Sequence, residues 1–100
     1  DVKVVLEPGR FLVGECGQLL TKVICIKQSA GRTIVIVDAG MNTFIRPAMY
    51  GAYHKVVALN PREGACVPCD IVGPICESSD IFAKAAPMPP LEEDDILSIK

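Results

Sequence analysis

Short apolar runs separated by glycine, proline and polar positions make up the hydropathy pattern of this chain. The runs are rich in β-branched residues and too short for stable helices, so they predict strands. The turn at residues 29–32 contains glycine and joins two adjacent runs, which predicts a β-hairpin. Such spacing and punctuation predict an all-β, Greek-key-like barrel or sandwich. The predicted strands are residues 2–6, 20–27, 33–37, 55–59, 69–75 and 95–100.

The segments between these runs have less regular patterns. Residues 11–20 are compatible with a helix, although two glycines within them weaken that prediction. Residues 43–53 are predicted to be irregular or to form one helical turn, limited by Pro47. Residues 85–90 contain three prolines and are predicted to be an extended connection, followed by an acidic turn at residues 91–95.

Composition limits the size and the partners of the protein. The chain has 100 residues, half of them hydrophobic, which suits one small domain with a real core. Ten basic and twelve acidic residues give a net charge of −2, so no electrostatic footprint for nucleic acid or an anionic membrane is present. No apolar run approaches the roughly 20 residues that a membrane-spanning helix needs. We therefore expect neither nucleic acid nor membrane as a partner.

The ends and the cysteines indicate the setting of the chain. It starts without Met, lacks the basic region of a signal peptide, and stops within a predicted strand, so we expect a piece of a longer protein. Its five cysteines form an odd set that favours reduced thiols in the cytosol. Cys66 and Cys69 have the spacing of a redox pair or half a zinc site. Because His54 is the only histidine, a complete metal site is not expected, and we interpret the pair as loop thiols.

Three motifs could carry chemistry. Residues 7–10, Glu-Pro-Gly-Arg, follow the first strand and suit either a solvated turn or an anion site in which Gly9 allows close backbone approach. At such an anion site, Arg10 would supply a planar fork of donors.

The second motif starts at residues 38–42, Asp-Ala-Gly-Met-Asn. Asp38 and Asn42 could simply satisfy their own turn. Arg46 and Tyr50 are four residues apart, so a helical turn would place both on one face as a carboxylate receptor.

The third motif is Cys76-Glu77, which follows an apolar run. The cysteine could be a small buried hydrophobic residue and the glutamate a surface charge. Alternatively, the thiol moves a proton while the carboxylate holds a cation. The residues alone leave both interpretations open, and the same holds for the first two motifs.

Together the motifs resemble segments of the diaminopimelate decarboxylase family, pyridoxal-phosphate enzymes of fold type III (alanine racemase-like). The octapeptide at residues 73–80 carries a similar Cys-Glu-Ser motif, and residues 38–50 are similar nearly throughout, with Thr43 where many members have an acidic residue. The resemblance implies that residues 1–10 are the last strand and end of a (β/α)8 cofactor-binding barrel. Residues 11–100 would be a C-terminal β-domain. Apart from the resemblance, Tyr53 and His54 precede a predicted strand and are expected to be structural.

The same resemblance implies residue roles and partners. The reaction would be decarboxylation of meso-2,6-diaminopimelate to L-lysine with pyridoxal 5'-phosphate, in a cytoplasmic homodimer with shared active sites, or in a plastid for a plant protein. Cys76 would return the proton, and Glu77 would bind the distal ammonium of the substrate. The expected carboxylate receptor is Arg10, Arg46 and Tyr50. The segment beside the cofactor phosphate would be Glu7, Pro8, Gly9 and Arg10.

Several alternatives remain at this point. The substrate could be another amino acid, as in ornithine- or arginine-type decarboxylases, although the family resemblance of Glu77 favours diaminopimelate. A non-catalytic paralogue could use the fold to bind a partner. A zinc or redox module could use Cys66 and Cys69. No Schiff-base lysine motif and no glycine-rich phosphate loop is recognisable, so the chain alone is expected to be inactive.

Overall fold

Six strands and two short helices make up the computed structural model, which describes residues 1–100. The apolar runs become the strands because alternate residues can face a shared core. The elements in chain order are α1 (Arg10–Val13), β1 (Leu19–Ser29), β2 (Arg32–Val37), α2 (Arg46–Tyr50), β3 (Val56–Ala58), β4 (Val67–Val72), β5 (Ile81–Met88) and β6 (Ile96–Ile99).

One sheet contains all the strands, in the order β3-β6-β1-β2-β4-β5. Its pairs are antiparallel except for β2 with β4, which is parallel. The outer strands β3 and β5 contact each other, so the sheet curls into a nearly closed barrel. The hairpin between β1 and β2 turns where Ser29 pairs with Arg32, with Gly31 at φ 75°. The predicted all-β barrel and its first hairpin are thus confirmed.

The core lies inside this curled sheet. In β1, Thr21 and Val23 are buried while Leu20 and Lys22 are exposed, as the two-residue period of a strand requires. The centre of the core is built from neighbouring strands, and neither helix contributes a buried residue. The buried hydrophobic residues are Val23, Val35, Val37, Ala39, Cys69, Ile71, Phe82, Met88, Leu97 and Ile99.

Two leucines in paired strands allow a direct test of this core. Leu97 in β6 is 0% exposed, whereas Leu20 in β1 is 53% exposed. Removing the Leu97 side chain leaves a cavity, so we expect Leu97→Ala to lower the free energy of unfolding by about 2–5 kcal/mol. Leu20→Ala, the matched control, should change it by less than about 0.5 kcal/mol. Urea denaturation measures both values, and equal losses would show that Leu97 is not central.

The prediction that residues 85–90 form an extended connection was wrong for residues 85–88, which belong to a strand. Strand β5 runs to Met88, and Pro87 pairs with Pro68 of β4. A proline cannot donate a backbone hydrogen bond. Strand β5 is the last in the sheet order and pairs with β4 alone, so it can contain a proline without breaking the pairing of a second strand. The prediction for β4 also needs correction, because this strand begins at Val67 and ends at Val72. Gly73 and the turn after it, not further strand, follow Val72.

The N-terminal segment is separate from the sheet. Residues 1–8 are exposed and belong to no helix or strand, and Val2 is 91% exposed. Their assignment to a barrel strand therefore stays a prediction. The helix suggested for residues 11–20 is limited to α1, which ends at Val13 and is followed by Gly14. Neither helix of the protein has the length and apolar character needed to cross a membrane.

Candidate active site

Helix α2 places two of the predicted site residues together. Pro47 lies in its first turn, and Gly51 ends it with φ 60°, a conformation that glycine adopts without strain. The guanidinium carbon of Arg46 lies 5.8 Å from the centroid of the Tyr50 ring. This distance suits a cation–π contact. The prediction that both side chains share one face of a helical turn is confirmed.

Arg46 also shares a groove with Arg10 from α1. The groove has a volume of about 460 Å³, and Gln18, His54 and Lys100 also line it. No acidic side chain lines the groove. Two guanidinium groups without an acidic neighbour form a positive surface that suits a carboxylate or a phosphate.

His54 connects this groove to the end of the sheet. Its Nδ1 lies 2.9 Å from the carbonyl oxygen of Lys100, and its ring meets Phe44 edge-on with centroids 4.7 Å apart. A carbonyl oxygen can only accept, so Nδ1 carries the proton. The Nε2 atom is buried without a hydrogen-bond partner. These contacts tie the segments on both sides of α2 to the residue that follows β6, and they support the structural role expected for His54.

Cys76 and Glu77 lie in the turn between β4 and β5, and both are exposed. The Glu77 carboxylate accepts hydrogen bonds from the backbone amide and the hydroxyl of Ser79, both at 3.1 Å. The Ser78 hydroxyl donates to the same oxygen at 3.3 Å. These bonds, the Ser79 amide first, hold the pKa of Glu77 below its ordinary value. The carboxylate is therefore charged at neutral pH and accessible to a cation.

The chain does not bring all of its predicted site residues together. Neither Cys76 nor Glu77 lines the groove that Arg10 and Arg46 share. The thiol and carboxylate lie on one turn, and the arginines with Tyr50 lie around the two helices. The structure thus contains two separate groups of candidate residues.

The turn at residues 38–41, which leads towards α2, is anchored to β1. Asp38 Oδ1 accepts hydrogen bonds from the Thr21 hydroxyl at 2.7 Å and from the Lys22 amide at 2.8 Å. The Thr21 hydroxyl in turn accepts from the Ala39 amide at 2.9 Å. The Lys22 amide and then the Thr21 hydroxyl lower the pKa of Asp38. Asp38 therefore bonds the neighbouring strand and not its own turn, which corrects the simpler interpretation of this residue.

Asp80 is a site-adjacent residue that sequence reasoning missed. It is 3% exposed and ends the turn that carries Cys76. Its carboxylate accepts hydrogen bonds from two backbone amides, those of Met41 and Ile75. The available signal was an aspartate placed after a glycine-started turn and directly before an apolar run, since Asp often bonds turn backbone.

The cysteines are all free thiols. Interpreting Cys66 and Cys69 as loop thiols was wrong for Cys69, which is buried in β4 because that strand begins at Val67. Burial raises the pKa of the Cys69 thiol, so it is a core residue and not a reactive one. No group of three or more His, Cys, Asp or Glu side chains is arranged to hold a metal ion.

Residues 10–100 match the protein family described as "Pyridoxal-dependent decarboxylase, C-terminal sheet domain". The chain therefore belongs to this family of pyridoxal-dependent decarboxylases. It is similar to diaminopimelate decarboxylase of Helicobacter pylori, with 46% identity over 101 residues, and to that of Campylobacter jejuni, with 44% identity over 100 residues. Each match covers 100% of this chain and 25% of the relative, so the chain spans a quarter of their length.

Solved structures give the same relationship. The crystal structure of Helicobacter pylori diaminopimelate decarboxylase complexed with L-lysine has a TM-score of 0.86 and 49% identity, covering 94% of this chain and 23% of that one. A protein from Aquifex aeolicus has a TM-score of 0.92 and 40% identity, covering 97% and 24%. A lysine/ornithine decarboxylase from Vibrio vulnificus, at 23% identity and TM-score 0.84, shares the fold.

Proposed function

We propose that this chain is the C-terminal β-domain of a diaminopimelate decarboxylase, which converts meso-2,6-diaminopimelate to L-lysine and carbon dioxide. The observation that carries the proposal is the match of the whole chain to relatives of that name at 44–46% identity. The L-lysine in the Helicobacter pylori structure is the product expected of this reaction. Residues 1–10 would end a cofactor-binding barrel, and residues 11–100 would form the β-domain.

The residues near the N-terminus fit an anionic cofactor. Glu7, Pro8, Gly9 and Arg10 are exposed, and a Cβ atom on Gly9 would meet no atom within 4 Å, so the backbone here can be approached closely. Arg10 makes no ion pair within the chain. The Gly9 backbone and the Arg10 guanidinium would contact the phosphate of pyridoxal 5'-phosphate, and Glu7 and Pro8 would lie beside the cofactor. When bound, the cofactor would supply an acceptor for the electron pair left when carbon dioxide departs.

The chain's own residues would bind the substrate and move the proton. Arg46 and Tyr50, already in contact, would orient the distal carboxylate with Arg10. Glu77 is exposed and charged and would pair with the distal ammonium. The exposed thiol of Cys76 would donate the proton that replaces carbon dioxide on the substrate carbon.

The separation of the two groups of residues bears on assembly. Neither Cys76 nor Glu77 lines the arginine groove, which supports a site that takes these two residues from a second chain. We therefore include in the proposal a homodimer with shared active sites, acting in the cytoplasm (or a plastid for a plant protein), with an amino-acid substrate and no nucleic-acid or membrane partner.

A direct test uses two proteins. The first is the full-length enzyme, meaning the protein in which this chain follows its barrel, and the second is the chain of residues 1–100 alone. With pyridoxal 5'-phosphate added, we expect carbon dioxide release from meso-diaminopimelate by the full-length enzyme only. The chain alone lacks a recognisable cofactor lysine, so it should be inactive.

The controls decide between substrates. Ornithine and arginine are assayed beside diaminopimelate at equal concentration. If ornithine or arginine were turned over faster than diaminopimelate, the proposed substrate would be rejected, but the assignment of the protein as a decarboxylase would stand. Activity of the isolated chain would reject the division of the site between barrel and β-domain.

A further inference from the structure

The Asp80 carboxylate joins two turns that are far apart in sequence. Its Oδ1 accepts the backbone N–H of Met41 at 2.7 Å, and its Oδ2 accepts that of Ile75 at 2.9 Å. Met41 belongs to the turn that leads to α2, and Ile75 directly precedes Cys76. One buried side chain therefore contacts both segments that carry candidate site residues.

Two glycines fit closely around this carboxylate. A Cβ atom on Gly73 would overlap the carboxyl group of Asp80. A Cβ atom on Gly40 would lie 3.2 Å from Asp80 Oδ2 and 3.0 Å from Cγ1 of Ile75. The absence of a side chain at both positions lets the backbone approach Asp80. The pocket around the carboxylate is thus shaped by both turns.

The backbone of Asp80 closes the same turn. Its N–H donates to the carbonyl oxygen of Glu77 at 3.0 Å, and its own carbonyl oxygen accepts from the Gly73 N–H at 3.0 Å. Cys76 and Glu77 therefore lie within a segment held on both sides by one residue. An asparagine could not replace it fully, because one of its two terminal groups is a donor and would face an N–H donor.

We propose that Asp80 is a positioning residue that fixes the Cys76-Glu77 turn against the turn leading to Arg46 and Tyr50. The proposal rests on the proposed function of those residues, and Asp80 itself touches no substrate. The position of the Cys76-Glu77 turn matters because a misplacement of about 1 Å in a catalytic group can reduce the rate about 100-fold. Asp80 would hold the turn that carries Cys76 and Glu77 at a fixed place on the β-domain, so that both side chains reach the substrate in the site that two chains share.

The test compares Asp80→Asn with Asp70→Asn in the full-length enzyme. Asp70 is also buried, accepts the Ala85 N–H at 2.8 Å and pairs with Arg32, but it contacts neither turn. We expect Asp80→Asn to lower kcat on diaminopimelate about 10-fold while Asp70→Asn, per folded enzyme, changes it less than about twofold. Equal effects of the two substitutions would overturn the proposal.

A double-mutant cycle separates positioning from general stability. In the Cys76→Ala background the proton donor is already missing, so Asp80→Asn should reduce kcat by less than about threefold further. A purely structural role would reduce activity by the same factor in both backgrounds. Equal factors would therefore reject positioning.

Hydrogen–deuterium exchange gives a readout that does not depend on activity. Peptides covering residues 40–42 and 74–77 should exchange faster in Asp80→Asn than in wild type, and not in Asp70→Asn. An inactive wild type would refute the proposed function, while this exchange pattern would still decide whether Asp80 joins the turns. Unchanged exchange in both peptides would show that it does not.

A second variant covers the case in which Asp80→Asn fails to fold. Gly40→Ala keeps the carboxylate and adds a methyl group between the two turns. We expect it to raise exchange in the same peptides and to lower kcat. Wild-type exchange together with wild-type kcat in Gly40→Ala would overturn the proposal.

Discussion

Cys76→Ala in the full-length enzyme should lower kcat on meso-diaminopimelate by about 100-fold, because a positioned general acid contributes about 10²–10⁴ to a rate. The thiol is exposed at the tip of its turn, where a substrate can reach it. Alanine lacks the proton that the thiol would donate but differs little in volume, and the Cys76 side chain makes no hydrogen bond within the chain. The KM should therefore change by less than about threefold. Steady-state kinetics over a range of substrate concentrations measures both constants.

Cys66→Ala is the matched control for this prediction. It removes another exposed thiol from a loop that carries no candidate site residue. Both constants should stay at their wild-type values in that variant. If Cys76→Ala kept wild-type turnover, some other group would have to supply the proton, and the assignment of Cys76 would be lost.

Glu77→Gln should raise the KM for diaminopimelate roughly 10- to 100-fold, the range that a hydrogen bond between charged groups contributes. The hydrogen bonds from Ser79 lower the pKa of Glu77, so the wild-type carboxylate is charged throughout the range from about pH 6 to about pH 8. Glutamine keeps the shape and removes the charge. The loss should therefore be seen across this whole pH interval.

The substrate provides the control for Glu77. An analogue without the distal ammonium, 2-aminopimelate, should be a poor substrate for wild type, and Glu77→Gln should change its KM less than about threefold. Glu93→Gln changes an exposed glutamate that makes no ion pair and should leave both substrates unaffected. Equal kinetics of wild type and Glu77→Gln on diaminopimelate would remove the ammonium role.

Local patterns predicted most of the fold. Strands β1, β2, β3 and β6 follow apolar runs that were visible in the sequence, and the Gly31 turn marked the hairpin. The failure at residues 85–88 has a tertiary cause, since a strand at the end of the sheet order, as β5 is, can accept a proline such as Pro87. No local pattern states which strand will lie at an edge.

The candidate site was predicted less completely. Spacing alone placed Arg46 and Tyr50 on one helical face, and the structure has them in contact. The link from Asp80 to Met41 joins residues 39 positions apart, which no local pattern can reveal. The same limit applies to Thr21 and Asp38, whose hydrogen bond depends on the pairing of β1 with the chain after β2.

The position of β6 between two other strands affects when the β-domain can fold. This strand is the last of the six in sequence, yet it lies between β3 and β1 and pairs with both. A ribosome delivers residues 1–95 before β6 exists, so during that time β1 and β3 each present an open edge. The six strands can form one sheet only after residues 96–99 have emerged, so the β-domain cannot finish folding before these residues have been made.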